Sequence, residues 1–171
     1  MSWYLLLILA VAAERIGELV VSQRNLAWSR ARAGVEFGAG HYPVMVVLHT
    51  GLLVGCLIEA HWRAFVPALG WPMLALVLAA QGLRWWCIAT LGRQWNTRVV
   101  IVAGAGRVTG GPYRWFSHPN YLAVIVEGFA LPLVHTAWLT ALVFTVLNAA
   151  LLRVRIGVEN RALAGLTVGS A

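Results

Sequence analysis

Long apolar blocks constrain this chain more than any other feature. Five of them run, roughly, Trp3–Ser22, Pro43–Ala60, Ala68–Leu91, Pro119–Val134 and Thr136–Leu152. A helix that crosses a bilayer needs roughly 20 mostly apolar residues. Lipid offers no water to an unpaired backbone group, so blocks of this kind are helical. Composition agrees: 60% of the residues are hydrophobic and only 11% are charged, whereas a soluble domain is about a quarter charged. The expected fold class is an all-α integral membrane protein of about five transmembrane helices. Residues 1–171 then form a single membrane domain, with the N-terminal spans in 1–66. The first block lacks a basic n-region and a small-residue cleavage site, so it is read as a retained span, not a signal peptide. The fourth is short and is joined to the fifth by little more than His135, which suggests a tight helical hairpin.

The net charge of +7 comes from 13 arginines against 6 glutamates, with no Lys or Asp. Their placement is informative. Arg24, Arg30 and Arg32 lie in the first connection and Arg63 alone in the second. Arg93, Arg98, Arg107 and Arg114 lie in the third, and Arg153, Arg155 and Arg161 in the tail. The positive-inside rule puts the N-terminus outside and the third connection and tail in the cytoplasm. The same asymmetry accounts for the basic balance without nucleic acid as a partner. Glu36 is expected to be exposed, and Glu59 and Arg84 to be interfacial or snorkelling. Cys56 and Cys87 fall in apolar runs and read as buried free thiols.

Only the third connection, Gly92–Ser117, is long and textured. It holds Trp95-Asn96-Thr97-Arg98, a β-like run Val99–Val102, then Gly104, Gly106, Gly110, Gly111 and Pro112. Glycines at this density mark turns and close backbone approaches. The interleaved aromatic and β-branched residues point to ordered, irregular structure.

Three constellations are candidates for chemistry. Glu14, Arg15, Glu18, Ser22 and Asn25 fall within an arc of about 100° on the first helix. Ionisable groups in a span face a protein interior or a wet cavity, so this stripe is either a packing device, with Arg15 paired to Glu18, or one wall of a polar site. Residues Gly110–Tyr121 place Pro119 at the first position of a helix and His118 at its N-cap. They form either an interfacial aromatic belt or an anion-attracting site at a helix start. Arg155 and Glu159 are i,i+4 neighbours where the fifth span leaves the membrane, as a surface ion pair or as part of a site. Glu127, inside the fourth span, needs a partner. The histidines show no metal-ligand pairing, and there is no CxxC, no GxGxxG after a strand and no Ser/His nucleophile pattern. No metal is expected.

At these residues the chain resembles the isoprenylcysteine carboxyl methyltransferase family, in its short bacterial branch. The family pattern is approximately G-x-Y-x-x-x-R-H-P-x-Y, two hydrophobic helices, then R-x-x-x-E-E. Here it reads Gly111-Pro112-Tyr113, His118-Pro119-Asn120-Tyr121, a helical hairpin, then Arg155 and Glu159. The resemblance covers roughly residues 90–165, the cofactor-binding region of the family. Ser117 stands where the family has Arg, and Asn160 where it has a second Glu. The resemblance implies S-adenosyl-L-methionine as cofactor. Arg107 and Val108 would meet its adenosine through the backbone, and Tyr113, His118, Tyr121 and Glu159 would line its pocket. Arg155 would face the methyl acceptor. The polar stripe on the first helix, outside the resemblance, offers Glu18 across the cavity as the second catalytic residue.

The implied reaction is an in-line methyl transfer to oxygen, in which positioning supplies much of the catalysis. An anionic acceptor, a carboxylate or an acidic enol, needs no general base, and the sequence offers no clear one. Short members of the family resemble enzymes that O-methylate long-chain alkylpyrones or phenolic lipids. The expected partner is therefore a lipophilic small molecule that enters from the bilayer, in a bacterial plasma membrane, with the active site facing the cytoplasm. Two rivals remain: an NADPH-dependent membrane reductase of the sterol-reductase type, which shares a His-Pro-Asn-Tyr element, and a non-enzymatic transporter or lipid-binding protein.

Overall fold

A computed structural model of the chain describes residues 2–168, with side chains as far as Ala164. Five helices carry it: α1 (Ser2–Arg30), α2 (His41–Ala60), α3 (Pro67–Leu91), α4 (Pro119–Leu133) and α5 (Trp138–Val168). Each grows from one of the five apolar blocks, so the all-α membrane class holds. Both α1 and α5 run well past the apolar stretch that nucleates them, because nothing in Gln23–Arg30 or Arg153–Ala164 breaks a helix. Two short strands, β1 (Val35–Phe37) and β2 (Val99–Ile101), pair antiparallel with Glu36 opposite Val100. The β-like run in the third connection is thus a strand. Its partner, only three residues long, is an addition to the sequence expectation.

Among the described residues, three stretches are long and apolar enough to cross a membrane: His41–Ala60, Pro67–Gln94 and Trp138–Ala164. α1 has the length but carries Glu14, Arg15 and Glu18. α4 has the apolarity but only 15 residues, about 22 Å at 1.5 Å per residue against a hydrocarbon core of about 30 Å. The outward faces suit lipid: Leu6 is 66%, Val47 72% and Leu78 61% exposed. Apolar side chains this open would be a liability in water.

The dry core lies at one end of the bundle, where Tyr4, Ile8, Val11, Cys56, Leu131, Val134 and Phe144 pack together. The Tyr4 hydroxyl donates to the Leu131 carbonyl at 2.9 Å, which satisfies its one polar atom there. α4 and α5 form the expected hairpin. Gly128 lets them close, because a Cβ there would fall inside the Phe144 ring. With this end sealed, the opposite end of the bundle is left to the third connection.

Three expectations are corrected. Glu59 is buried rather than interfacial, and accepts from the Leu139 and Thr140 amides at 3.1 and 2.8 Å. It caps the free N–H groups at the start of α5, where a carboxylate is favourable. Arg84 does not snorkel. It is 5% exposed and donates to Glu127 at 2.8 Å. Glu36 is half-buried and accepts from Arg98 at 2.7 Å, because β1 turns it toward the loop. Cys56 and Cys87 are buried free thiols, as expected.

Candidate active site

The third connection folds back over the bundle because α1 fastens it. Asn25 donates to the carbonyls of Gly92 and Trp95 at 3.1 and 2.7 Å. The Ser22 hydroxyl accepts from the Thr97 amide at 3.1 Å, and the Asn96 side chain donates to the Ser22 carbonyl at 3.2 Å. The outer half of the polar stripe on α1 is therefore a clasp. Beneath the clasped loop lies a cavity of about 360 Å³, within the ~300–1,000 Å³ usual for a small-molecule site.

The eight residues expected to be catalytic or cofactor-binding all line this cavity: Glu18, Arg107, Val108, Tyr113, His118, Tyr121, Arg155 and Glu159. Local structure explains several of them. Gly111 has φ +54°, and a Cβ there would lie 2.5 Å from the Thr90 hydroxyl. Only glycine can turn the chain against α3 at that point, and the turn carries Tyr113 into the cavity. Burial pushes the Tyr113 phenol well above its ordinary pKa, and the neighbouring Cys87 thiol, to which it hydrogen-bonds, pushes it further. It stays neutral across the physiological range. Pro119 opens α4 and His118 stands at its N-cap position, without a side-chain cap bond.

The mouth of the cavity is a linked group. The Tyr121 hydroxyl donates to Glu159 Oε2 at 2.6 Å, and the His118 ring stacks on Tyr121 with centroids 5.5 Å apart. His118 Nε2 donates to Asn160 Oδ1 at 3.1 Å, and its Nδ1 lies 3.7 Å from Glu159 Oε1. Asn160, one of the two departures from the family pattern, thus holds His118. Arg155 is 7% exposed. It donates to the Thr97 carbonyl at 2.7 Å and contacts Met45 Sδ at 2.6 Å. No carboxylate pairs with it among the described residues, so the i,i+4 ion pair with Glu159 does not form. Each of the two instead meets Tyr121, whose ring lies 5.9 Å from the Arg155 guanidinium.

The inner end of the cavity carries Arg15, Glu18 and Arg84. Glu18 meets Arg15 at 2.8 Å and Arg84 at 3.5 Å, and Glu127 meets the same two arginines from α4 at 3.5 and 2.8 Å. Glu14 lies outside the cavity and accepts from the Trp85 indole at 2.5 Å. His49 and Asn148, which the sequence does not single out, also line the cavity, as do Asn120 and Thr97, which stand in quoted motifs without a role of their own. For Thr97 the Trp-Asn-Thr-Arg run was a usable signal. For lone polar residues inside apolar helices the signal is weak.

A family model described as the isoprenylcysteine carboxyl methyltransferase family matches residues 73–165. The chain belongs to this family. The match takes in α3 as well as the motif region, so the helix that supplies Arg84 is part of it. An uncharacterized protein, YpbQ of Bacillus subtilis (strain 168), is 36% identical over 164 residues, covering 95% of this chain and 96% of that one. Isoprenylcysteine carboxyl methyltransferase membership implies a membrane methyltransferase, a reading that fits a helical bundle with one wet end.

Proposed function

We propose that the chain is an S-adenosyl-L-methionine-dependent O-methyltransferase acting on a lipophilic acceptor at the cytoplasmic surface of a bacterial plasma membrane. One observation carries the reading: a single cavity joins the polar mouth at His118, Tyr121 and Glu159 to the apolar walls of α2 and α5. The residues present fit such a cofactor. Asn120 Oδ1 and Arg155 Nε are buried without a hydrogen-bond partner at this cavity, and a native structure rarely leaves such atoms unused. Glu159 and the aromatic faces of His118 and Tyr121 suit a cationic group.

When bound, the cofactor supplies an electrophilic methyl group on a positively charged sulfur. Glu159 and His118 hold it from the mouth, and Tyr113 packs beside it as a neutral phenol. Arg155 holds the acceptor's oxygen anion, because a guanidinium keeps its charge and offers a planar fork. The clasped loop excludes water, which strengthens these contacts. A long-chain alkylpyrone or phenolic lipid is the acceptor class proposed. Its tail lies along Val46, Leu53 and Leu151, and its head faces Arg155.

The test has two arms. Calorimetry on purified protein should show binding of S-adenosyl-L-methionine and not of NADPH; the reverse result would make it a reductase. Reporter fusions at Arg30 and Arg107 should read cytoplasmic and one at Arg63 external. An inverted pattern would move the site to the other face.

A further inference from the structure

His49 lies in the middle of α2, in an otherwise apolar run, and lines the cavity. Its Nδ1 is 2.9 Å from the Met45 carbonyl. A carbonyl only accepts, so the ring hydrogen sits on Nδ1 and the neutral ring keeps its lone pair on Nε2. Nε2 has no hydrogen-bond partner among the described residues. The Met45 that orients the ring is also the residue whose sulfur meets Arg155 at 2.6 Å. His49 is thus one helical turn, about 6 Å, deeper in the membrane than the proposed anion-holding group.

The surroundings of the ring point the same way. α5 presents Phe144, edge to face at 5.3 Å, and one turn further on Asn148. Asn148 is 2% exposed, lines the same cavity, and has an Oδ1 with no partner. The charged groups acting on His49 are Arg15 from α1, Arg84 from α3 and Glu127 from α4. The carboxylates nearby are all committed: Glu18 and Glu127 each meet two arginines. The free Asn148 oxygen is not basic, which leaves His49 Nε2 as the uncommitted basic atom beside it in this cavity.

We propose that His49 is the general base of the reaction, and that the acceptor is a weakly acidic hydroxyl, a phenol, rather than a carboxylate or an acidic enol that is ionised already. The proposal rests on the methyltransferase reading and deepens it. A carboxylate acceptor is ionised already and gives a base nothing to do. With a hydroxyl acceptor, the O–H bond breaks and its proton passes to His49 Nε2. The freed oxygen pair forms the new bond to the methyl carbon. The carbon–sulfur bond breaks with its pair left on sulfur, which leaves as a neutral thioether. Asn148 meets a second polar atom of the acceptor head. The imidazolium then returns its proton to water in the cavity once the product has gone.

His49→Asn is the informative variant, because an asparagine amide can still donate to the Met45 carbonyl while offering no base in place of Nε2. With a long-chain phenol as acceptor, it should lower the rate roughly 100-fold or more, the usual scale of general-base catalysis. Binding of S-adenosyl-L-methionine, followed by calorimetry, should not change. The deficit should shrink as pH rises through the phenol's own ionisation, where the base becomes superfluous. A long-chain nitrophenol supplies a readout free of turnover: its phenolate band should appear at lower pH on the wild-type protein than on His49→Asn. Should the variant not fold, nitrogen NMR of histidine-labelled wild-type protein decides, since a bound phenol's hydroxyl should donate to His49 Nε2 and shift its signal. An unchanged phenol rate in His49→Asn, or an unshifted Nε2 signal in the wild type, overturns the proposal. Wild-type protein that binds no S-adenosyl-L-methionine overturns the methyltransferase reading instead, and the two failures are distinct.

Discussion

The two ends of the cavity are both built from charged residues, yet they are organised differently. At the inner end, Arg15, Glu18, Arg84 and Glu127 close on one another: each carboxylate meets both arginines, at 2.8 to 3.5 Å. At the mouth, Arg155 has no carboxylate partner and Glu159 takes a hydrogen bond from a phenol. A closed network has little to offer a ligand and much to lose from a broken pair. An open one leaves capacity for whatever enters. Damage at the inner end should therefore show as instability, and damage at the mouth as lost binding or turnover.

The largest effect is expected at the closed end. Glu127→Leu removes the 2.8 Å partner of a nearly inaccessible Arg84. Breaking one side of such a pair costs about 3–5 kcal/mol, because Arg15 and Arg84 are then left to share Glu18 and one positive charge is unbalanced. Thermal unfolding in detergent should report it as a lower melting temperature and poor yield. Replacing both Arg84 and Glu127 by apolar residues should recover much of the loss. A single variant that melts like the wild type would show that the network is not closed in the sense described.

An intermediate effect is expected at Arg155. Arg155→Lys keeps a charge but not the fork that reaches both the Thr97 carbonyl and Met45. Melting temperature and cofactor affinity should stay close to wild type. Turnover should fall by up to about 100-fold, the scale on which a poorly seated reactant loses attack geometry. Undiminished turnover would place the acceptor's anion elsewhere.

The same contrast explains what was legible in the sequence. Gly111, Tyr113, His118, Tyr121, Arg155 and Glu159 sit in a motif that resembles the family's, so the resemblance could name the residues at the mouth where the spacing alone left a belt or an ion pair open. That Glu127 needs a partner was also legible, since lipid does not tolerate a lone carboxylate. That the partner is Arg84, 43 positions away on α3, was not, because pairing between helices depends on their packing. For the same reason Glu59 and Arg84 read as interfacial: from one helix alone, a buried charge and a snorkelling one look alike. The strand Val35–Phe37 was missed because three residues carry too little pattern without their partner at Val99–Ile101. His49 was invisible as a candidate because its tautomer and its opening to the cavity belong to the tertiary structure.

The smallest effect separates two residues within the open end. Glu159 accepts the Tyr121 phenol at 2.6 Å and lies 3.7 Å from His118, so it ties the tail helix to the start of α4. It is also the acid at the mouth that is free of arginines and thus able to meet a cationic ligand. Glu159→Ala should weaken S-adenosyl-L-methionine binding toward the upper end of the roughly 1–3 kcal/mol that an unsatisfied polar group costs. Beyond that 3.7 Å approach to Glu159, His118 makes the Asn160 contact at 3.1 Å and its stack on Tyr121. Water can replace the first, and Tyr121 retains its bond to Glu159 without the second. His118→Ala should therefore fall at the lower end of that range, about 1 kcal/mol. Neither variant should move the melting temperature as Glu127→Leu does, because neither strands a charge in the membrane. Calorimetry on the two proteins side by side measures the order. If His118→Ala is the more damaging, the histidine and not the carboxylate is the chief cofactor contact. If both bind as the wild type does, the open end serves something other than the cofactor.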